Sequence, residues 1–191
     1  VFAIGTLHPL VTAEIAKSMT ARYPGKKWAI VTQDDEYGEL TRAGFEQVQK
    51  DLKLDVVSTA IYKKGQTDFS AEMLKVKQSG AELLYAGGLL SENVAMAKEL
   101  ERMGLKLPMG ISYVGRLAAT LKLMGTAGEN VYTADYVEAE ESPRGKAFLD
   151  KAKSLLSEDD YKRVNRFTMS GYAGARVMFE NLQPVVEMND P

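Results

Sequence analysis

The feature that most constrains this chain is a repeated alternation of short apolar runs with amphipathic helical patterns. The runs are KKWAIV (Lys26–Val31), DVVSTAIY (Asp55–Tyr62), ELLYAG (Glu82–Gly87), LPMGIS (Leu107–Ser112) and NVYTADYV (Asn130–Val137). Between them lie segments of helical period. Tyr37–Leu52 places Phe45, Val48 and Leu52 at i, i+3, i+7. Phe69–Ser79 aligns Phe69, Met73 and Val76, and Asn93–Met103 aligns Met96, Leu100 and Met103. Arg116–Met124 reads as a short helix, and a helix near Thr12–Arg22, ended by Pro24-Gly25, precedes the first strand. Strands separated by helices of this length predict βαβ units: an α/β fold with a parallel sheet of about five strands and helices on both faces. Two further helices are predicted beyond the last strand. One is Ser142–Leu156, with Ser142 as N-cap and Pro143 at the first helical position. The other covers about Thr168–Leu182, with Tyr172, Ala175, Phe179 and Leu182 on one stripe. EAEES (Glu138–Ser142) and SEDD (Ser157–Asp160) read as solvated loops.

In a sheet of this kind, ligands sit outside the carboxyl ends of the strands. That edge gathers Asp34, Asp35, Glu36 and Tyr37, then Lys63–Asp68, Gly88–Ser91, Ser112–Arg116, and finally Asp135 and Tyr136. The loop TQDDEYGEL (Thr32–Leu40) admits four readings: a phosphate loop, a metal pocket, a ligand loop or a capped helix start. A phosphate loop needs glycines and backbone N–H groups without surrounding anions. DDEYG has one glycine among three acids, and GGLLSEN (Gly87–Asn93) fits neither nucleotide-binding glycine pattern. A magnesium pocket of the receiver-domain type would also need an aspartate after the third strand and a lysine after the fifth, where this chain has YAGG and ADYVEAE. The acids therefore read as first-turn residues that complement the helix dipole. Tyr37 is different: an amphipathic ring at the mouth of the sheet can stack on an apolar ligand and donate a hydrogen bond. Arg116 offers a planar donor suited to a carboxylate, and its plainer reading is a solvated first-turn side chain. Thr67 or Asp68 reads as a helix cap above Phe69, Trp28 as core, and His8 as a structural histidine in a loop.

Composition narrows the chemistry. With no cysteine, disulfides, zinc thiolates and a cysteine nucleophile are excluded, and the single histidine excludes a multi-histidine metal site. No serine lies in a GxSxG context. A two-carboxylate enzyme stays open, with nothing pointing to it. The formal net charge of −2 predicts neither a nucleic-acid partner nor an anionic-membrane surface. No apolar run approaches the roughly 20 residues of a membrane span. The chain opens on VFAIG without a signal-peptide pattern, which leaves its compartment open.

AIVTQDDEYGEL, KKGQTDFSAEMLKVKQSGAELLYAGG, KELERMGLKLPMG and GENVYTADY, in this order and spacing, resemble the periplasmic leucine/isoleucine/valine-binding protein family. These are type I periplasmic-binding-fold solute receptors of ABC transporters, and the resemblance runs from about Ile4 to about Leu182. It implies a two-lobed receptor whose lobes close over a ligand. This chain corresponds to the second lobe, residues 1–163, followed by a helix over 164–191 returning toward a first lobe that the chain does not contain. The resemblance assigns ligand contact to Tyr37 in the YG motif. Leu89 and Leu90 stand where amino-acid binders often carry an aromatic. Ser112 stands where they commonly carry a carboxylate for the α-ammonium. Tyr113, Arg116 and Asp135 complete the candidate ligand-binding set, and Asp34 or Asp135 is the nearest substitute for the missing acid. The expectation is an extracytoplasmic or periplasmic solute-binding protein, not an enzyme, without cofactor or metal. It binds a small organic ligand, an amino acid or a related carboxylic acid or amide, and delivers it to an ABC permease without inserting into the membrane. A sensory receptor domain of the same fold is the alternative.

Overall fold

The structure, a computed structural model, describes residues 8–135, 137 and 139–188. Its centre is a five-stranded, all-parallel sheet in the order β2-β1-β3-β4-β5. The strands are β1 (Trp28–Gln33), β2 (Val56–Tyr62), β3 (Leu83–Gly87), β4 (Met109–Ile111) and β5 (Val131–Thr133). Helices α1 (His8–Arg22), α2 (Glu36–Leu52), α3 (Ser70–Gln78), α4 (Leu90–Arg102) and α5 (Ala118–Met124) connect and cover them. The expected α/β class, parallel sheet and two helical layers are all present.

Strand alternation sorts the core into two halves. Trp28 and Tyr85 turn toward α1 and α2, where Phe45 meets both rings edge-on at 5.3 and 5.1 Å. Ala29, Val31, Leu84 and Ala86 turn the other way, into a cluster with Met73, Val76, Met96 and Leu100 from α3 and α4. Removing each large apolar side chain from water contributes about 1.5–3 kcal/mol. The row Ile30–Tyr85–Gly110–Tyr132 runs across four strands. Gly110 is needed in it, because a Cβ there would lie 2.8 Å from both Ile15 and Met19 of α1.

Several elements differ from the sequence reading. α1 begins at His8, not near Thr12, so His8 is helical rather than in a loop. Pro9 sits in its first turn, and Val11, Ile15 and Met19 form the buried stripe. α4 begins at Leu90, not Asn93. The segment expected as one helix from Arg116 is broken: Tyr113–Arg116 is a 3-10 turn, Leu117 is extended, and α5 follows. The SEDD loop is a short helix, α7 (Glu158–Tyr161), because Ser157 accepts the Asp160 N–H and caps it. The expected fifth strand, Asn130–Val137, is shorter: β5 covers only Val131–Thr133, and Tyr136 lies outside the described residues.

Leu7–Asp135 forms one compact unit, and the chain from Tyr136 onward belongs to a second. The second unit contains α6 (Pro143–Leu155), capped by Ser142 through Gly145 N–H, then α7 and α8 (Arg166–Met188). Phe148 of α6 meets Tyr172 of α8 at 5.4 Å.

Candidate functional site

At the carboxyl end of β1 the chain must turn sharply into α2. Asp35 is extended (φ −158°, ψ −179°) and caps the helix, taking the Gly38 N–H at 3.1 Å. Position 38 must be glycine, because a Cβ there would stand 1.9 Å from the Gln33 carbonyl oxygen. The tight turn delivers the Tyr37 side chain to the sheet edge. Its hydroxyl donates to Ser112 Oγ at 2.9 Å, with the Gly88 carbonyl oxygen 3.4 Å away. Residues 75 positions apart in sequence, at the ends of β1 and β4, thus meet directly. Ser112 is fully buried, and its carbonyl oxygen accepts the Thr133 hydroxyl at 2.7 Å.

The loop after β3 is shaped by one side-chain amide. Asn93 accepts the Gly88 N–H at 3.2 Å and donates to the Gly88 carbonyl at 2.9 Å. The Tyr62 hydroxyl, from the end of β2, points to the Gly87 carbonyl at 3.4 Å. Leu89 projects from this loop and is 38% exposed. Glu92, in the first turn of α4, is buried and accepts the Ser91 hydroxyl at 3.0 Å. Gln33 is buried, donates to Asp35 at 3.2 Å, and its Oε1 has no partner among the described residues.

Tyr113 is half-buried at the start of the 3-10 turn. Arg116 and Asp135 form an ion pair at 3.2 Å. The Asp135 side chain is almost wholly buried, so the pair is shielded from water more than a surface bridge is. Arg116 is therefore not a solvated first-turn side chain, and the Asp135 carboxylate already faces a cation.

Burial displaces the protonation of four groups around this edge. Burial pushes the Tyr37 phenol up to about 12, against a smaller opposing effect from Ser112. Burial also lowers His8 from the usual 6.5 to about 4, so the imidazole is neutral at pH 7. Tyr62 and Tyr85 are raised by burial as well. Among the described residues there is no group of three His, Asp or Glu that could hold a metal ion. What the edge offers is hydroxyls, backbone carbonyls, an amide, a buried carboxylate and aromatic surface: groups that recognise a small organic molecule.

Tyr37 and Ser112 come together, as do Arg116 and Asp135, while Leu89 precedes α4 in the loop after β3 and Tyr113 opens the 3-10 turn after β4. The sequence reading missed His8, whose ring lies 4.2 Å from that of Tyr37. It also missed Gln33, Glu92 and Asn93. Pro9 followed by Val11, Ile15 and Met19 was the available sign that a helix starts at His8. The gripping role of Asn93 depends on a contact five residues back and carries no local signature.

A family model described as periplasmic binding protein matches residues 1–186. The chain belongs to the periplasmic binding protein family. The family is the one to which the motifs around Tyr37 and Gly104 pointed. A leucine-, isoleucine-, valine-, threonine- and alanine-binding protein of Pseudomonas aeruginosa is 24% identical over 172 residues, 90% of this chain and 45% of its own length. This periplasmic binding protein chain therefore spans about half the length of the curated relatives it matches. Among solved structures, a solute-binding protein from R. palustris in complex with 4-hydroxybenzoate superposes with a TM-score of 0.76 at 21% identity, covering 92% of this chain and 48% of that one. A branched-chain amino acid ABC transporter protein from Thermus thermophilus with bound valine gives 0.67 at 16% identity, covering 82% and 42%. At these identities the solved structures establish the shared fold.

Proposed function

We propose that this chain is part of the solute-binding protein of an ABC transporter, working outside the cytoplasm. It holds a small organic ligand in a cleft that closes over it and passes it to a membrane permease. Affinity comes from closure and contact, without a chemical step. The observation that carries this reading is the meeting of Tyr37 and Ser112 at the carboxyl edge of the sheet. The family match supports it.

The ligand that best suits the edge is a carboxylic acid, an amide or an aromatic acid without an α-ammonium. A buried ammonium needs an anionic partner, since an unpaired buried charge costs several kcal/mol. The loop after β4 offers Ser112 in place of an acid, and Asp135 is neutralised by Arg116. Tyr37, Leu89, Ser112 and Tyr113 form the contact set, with the Arg116–Asp135 pair behind them. One structural relative carries 4-hydroxybenzoate and another valine, so both ligand classes fit this fold.

Calorimetry on the full protein tests this. Leucine and valine are compared with their 2-oxo and 2-hydroxy analogues and with 4-hydroxybenzoate. Binding of an acid lacking the ammonium is the expected result. Micromolar or tighter binding of the amino acid, with none of its analogue, overturns the ligand class and leaves the receptor reading intact. In that case Glu92 is the buried carboxylate at hand, and Glu92→Gln abolishes the binding. Turnover of any of these compounds overturns the receptor reading itself.

A further inference from the structure

His8 and Tyr37 are joined by more than ring contact. Thr41 has one hydroxyl hydrogen, and it is directed at the Tyr37 carbonyl oxygen, 2.9 Å away. The 2.8 Å contact between Thr41 Oγ1 and His8 Nε2 must then be donated by the imidazole. This assigns the proton to Nε2 and leaves Nδ1 as an acceptor with no partner among the described residues. The two rings lie 4.2 Å apart and tilted by 34°. The first turn of α1 is held in turn by Thr12, whose hydroxyl donates to the His8 carbonyl at 3.3 Å and lies 3.3 Å from the Tyr85 hydroxyl.

We propose that His8 is a positioning residue for Tyr37: a neutral imidazole, locked as the Nε2–H tautomer by Thr41, sets the tilt of the Tyr37 ring and so the direction in which its hydroxyl meets Ser112 and Gly88. The inference rests on Tyr37 being a ligand residue for its functional meaning, but its geometry is testable without any ligand. The lowered proton affinity of His8 agrees with it, since a charged ring would have to be accommodated in a half-buried site. The titratable groups around the pair are the phenols of Tyr37 and Tyr85. The Tyr113 phenol and the carboxylates of Asp35 and Glu92 act on Tyr37. Protonation would occur at Nδ1, leave the Thr41 bond in place and put a positive charge beside the Tyr37 ring.

His8 is the only histidine in the chain, so its imidazole signals in an NMR spectrum need no assignment. Long-range 1H–15N spectra of the 15N-labelled chain at pH 7 are expected to show one pyrrole-type and one pyridine-type nitrogen. The titration midpoint is expected near 4. The Tyr37 ring signals, identified by their loss in Tyr37→Phe, should move with the same midpoint. In His8→Ala they should shift and broaden, and in His8→Phe, which keeps the stack, they should largely recover. Stability adds a signed check. Between pH 6.5 and 4 the unfolded chain binds the proton that folded His8 refuses, so stability falls as pH drops through that window. His8→Phe should flatten that part of the profile. Averaged nitrogens with a midpoint near 6.5 overturn the proposal, and so do Tyr37 signals indifferent to both His8 titration and His8→Ala. Should His8→Ala fail to fold, the tautomer and titration of the unsubstituted chain still decide. Failure here leaves the solute-receptor reading untouched, because the calorimetry above does not depend on His8.

Discussion

The sheet unit and the α6–α8 segment treat the same kinds of side chain in opposite ways. In the sheet unit Trp28, Phe45, Tyr62, Phe69 and Tyr85 are each no more than 2% exposed. On α8, Phe167, Tyr172 and Phe179 are 52%, 40% and 74% exposed, and Leu155 on α6 is 72% exposed. A helix buries its apolar stripe only against a second layer. The sheet supplies that layer for α1–α5. The later helices place Phe148 against Tyr172 and bury Met169, while Phe167, Val177 and Phe179 stay exposed. Burial is thus set by the partner layer, and amphipathic pattern alone does not predict it.

The contrast can be broken by substitution. Phe45→Ala, which removes a ring between Trp28 and Tyr85, should destabilise by about 3–5 kcal/mol in denaturant unfolding. A loss below about 1 kcal/mol would mean the sheet core is far looser than its packing shows. Gly38→Ala forces a Cβ into the Gln33 carbonyl and should destabilise by about 1–3 kcal/mol, with α2 displaced at its start. Tyr37→Ala should weaken binding of whichever ligand calorimetry identifies by about 1–3 kcal/mol, roughly ten- to a hundredfold. Asp35→Asn should lower stability by about 1 kcal/mol or less while leaving ligand affinity unchanged. A large loss of affinity at full stability would make Asp35 a ligand group. At the other end of the comparison, Phe179→Ala should stay within about 0.5 kcal/mol, because the ring is already in water.

Much of the sheet unit was legible from its residues. The strands carry β-branched and apolar runs, and α2, α3 and α4 carry a clear helical period, so their existence and order follow from local pattern. Asp35 as cap and Trp28 as core were readable for the same reason. Ser157 was readable too, since a serine followed three residues later by an acid is a helix start, but the density of charge there pointed to a loop. The site was half legible. The YG turn and the strand-end rule named Tyr37 and Ser112 separately. Nothing local says that one donates to the other, or that Arg116 and Asp135 neutralise each other. His8 was assigned to a loop because its stacking partner is contributed by another helix, 29 positions away.

The Asn93 clasp has a chemical consequence over time. A side-chain amide can imitate a peptide group because it holds a donor and an acceptor side by side, and here it stands in for the neighbouring strand that β3 lacks beyond Gly87. Hydrolysis of that amide to aspartate would replace the donor with a second acceptor aimed at the Gly88 carbonyl, and the grip would become a repulsion. A chain carrying aspartate at position 93, made as Asn93→Asp, should melt at a lower temperature and let the Gly87–Leu90 loop exchange with solvent deuterium.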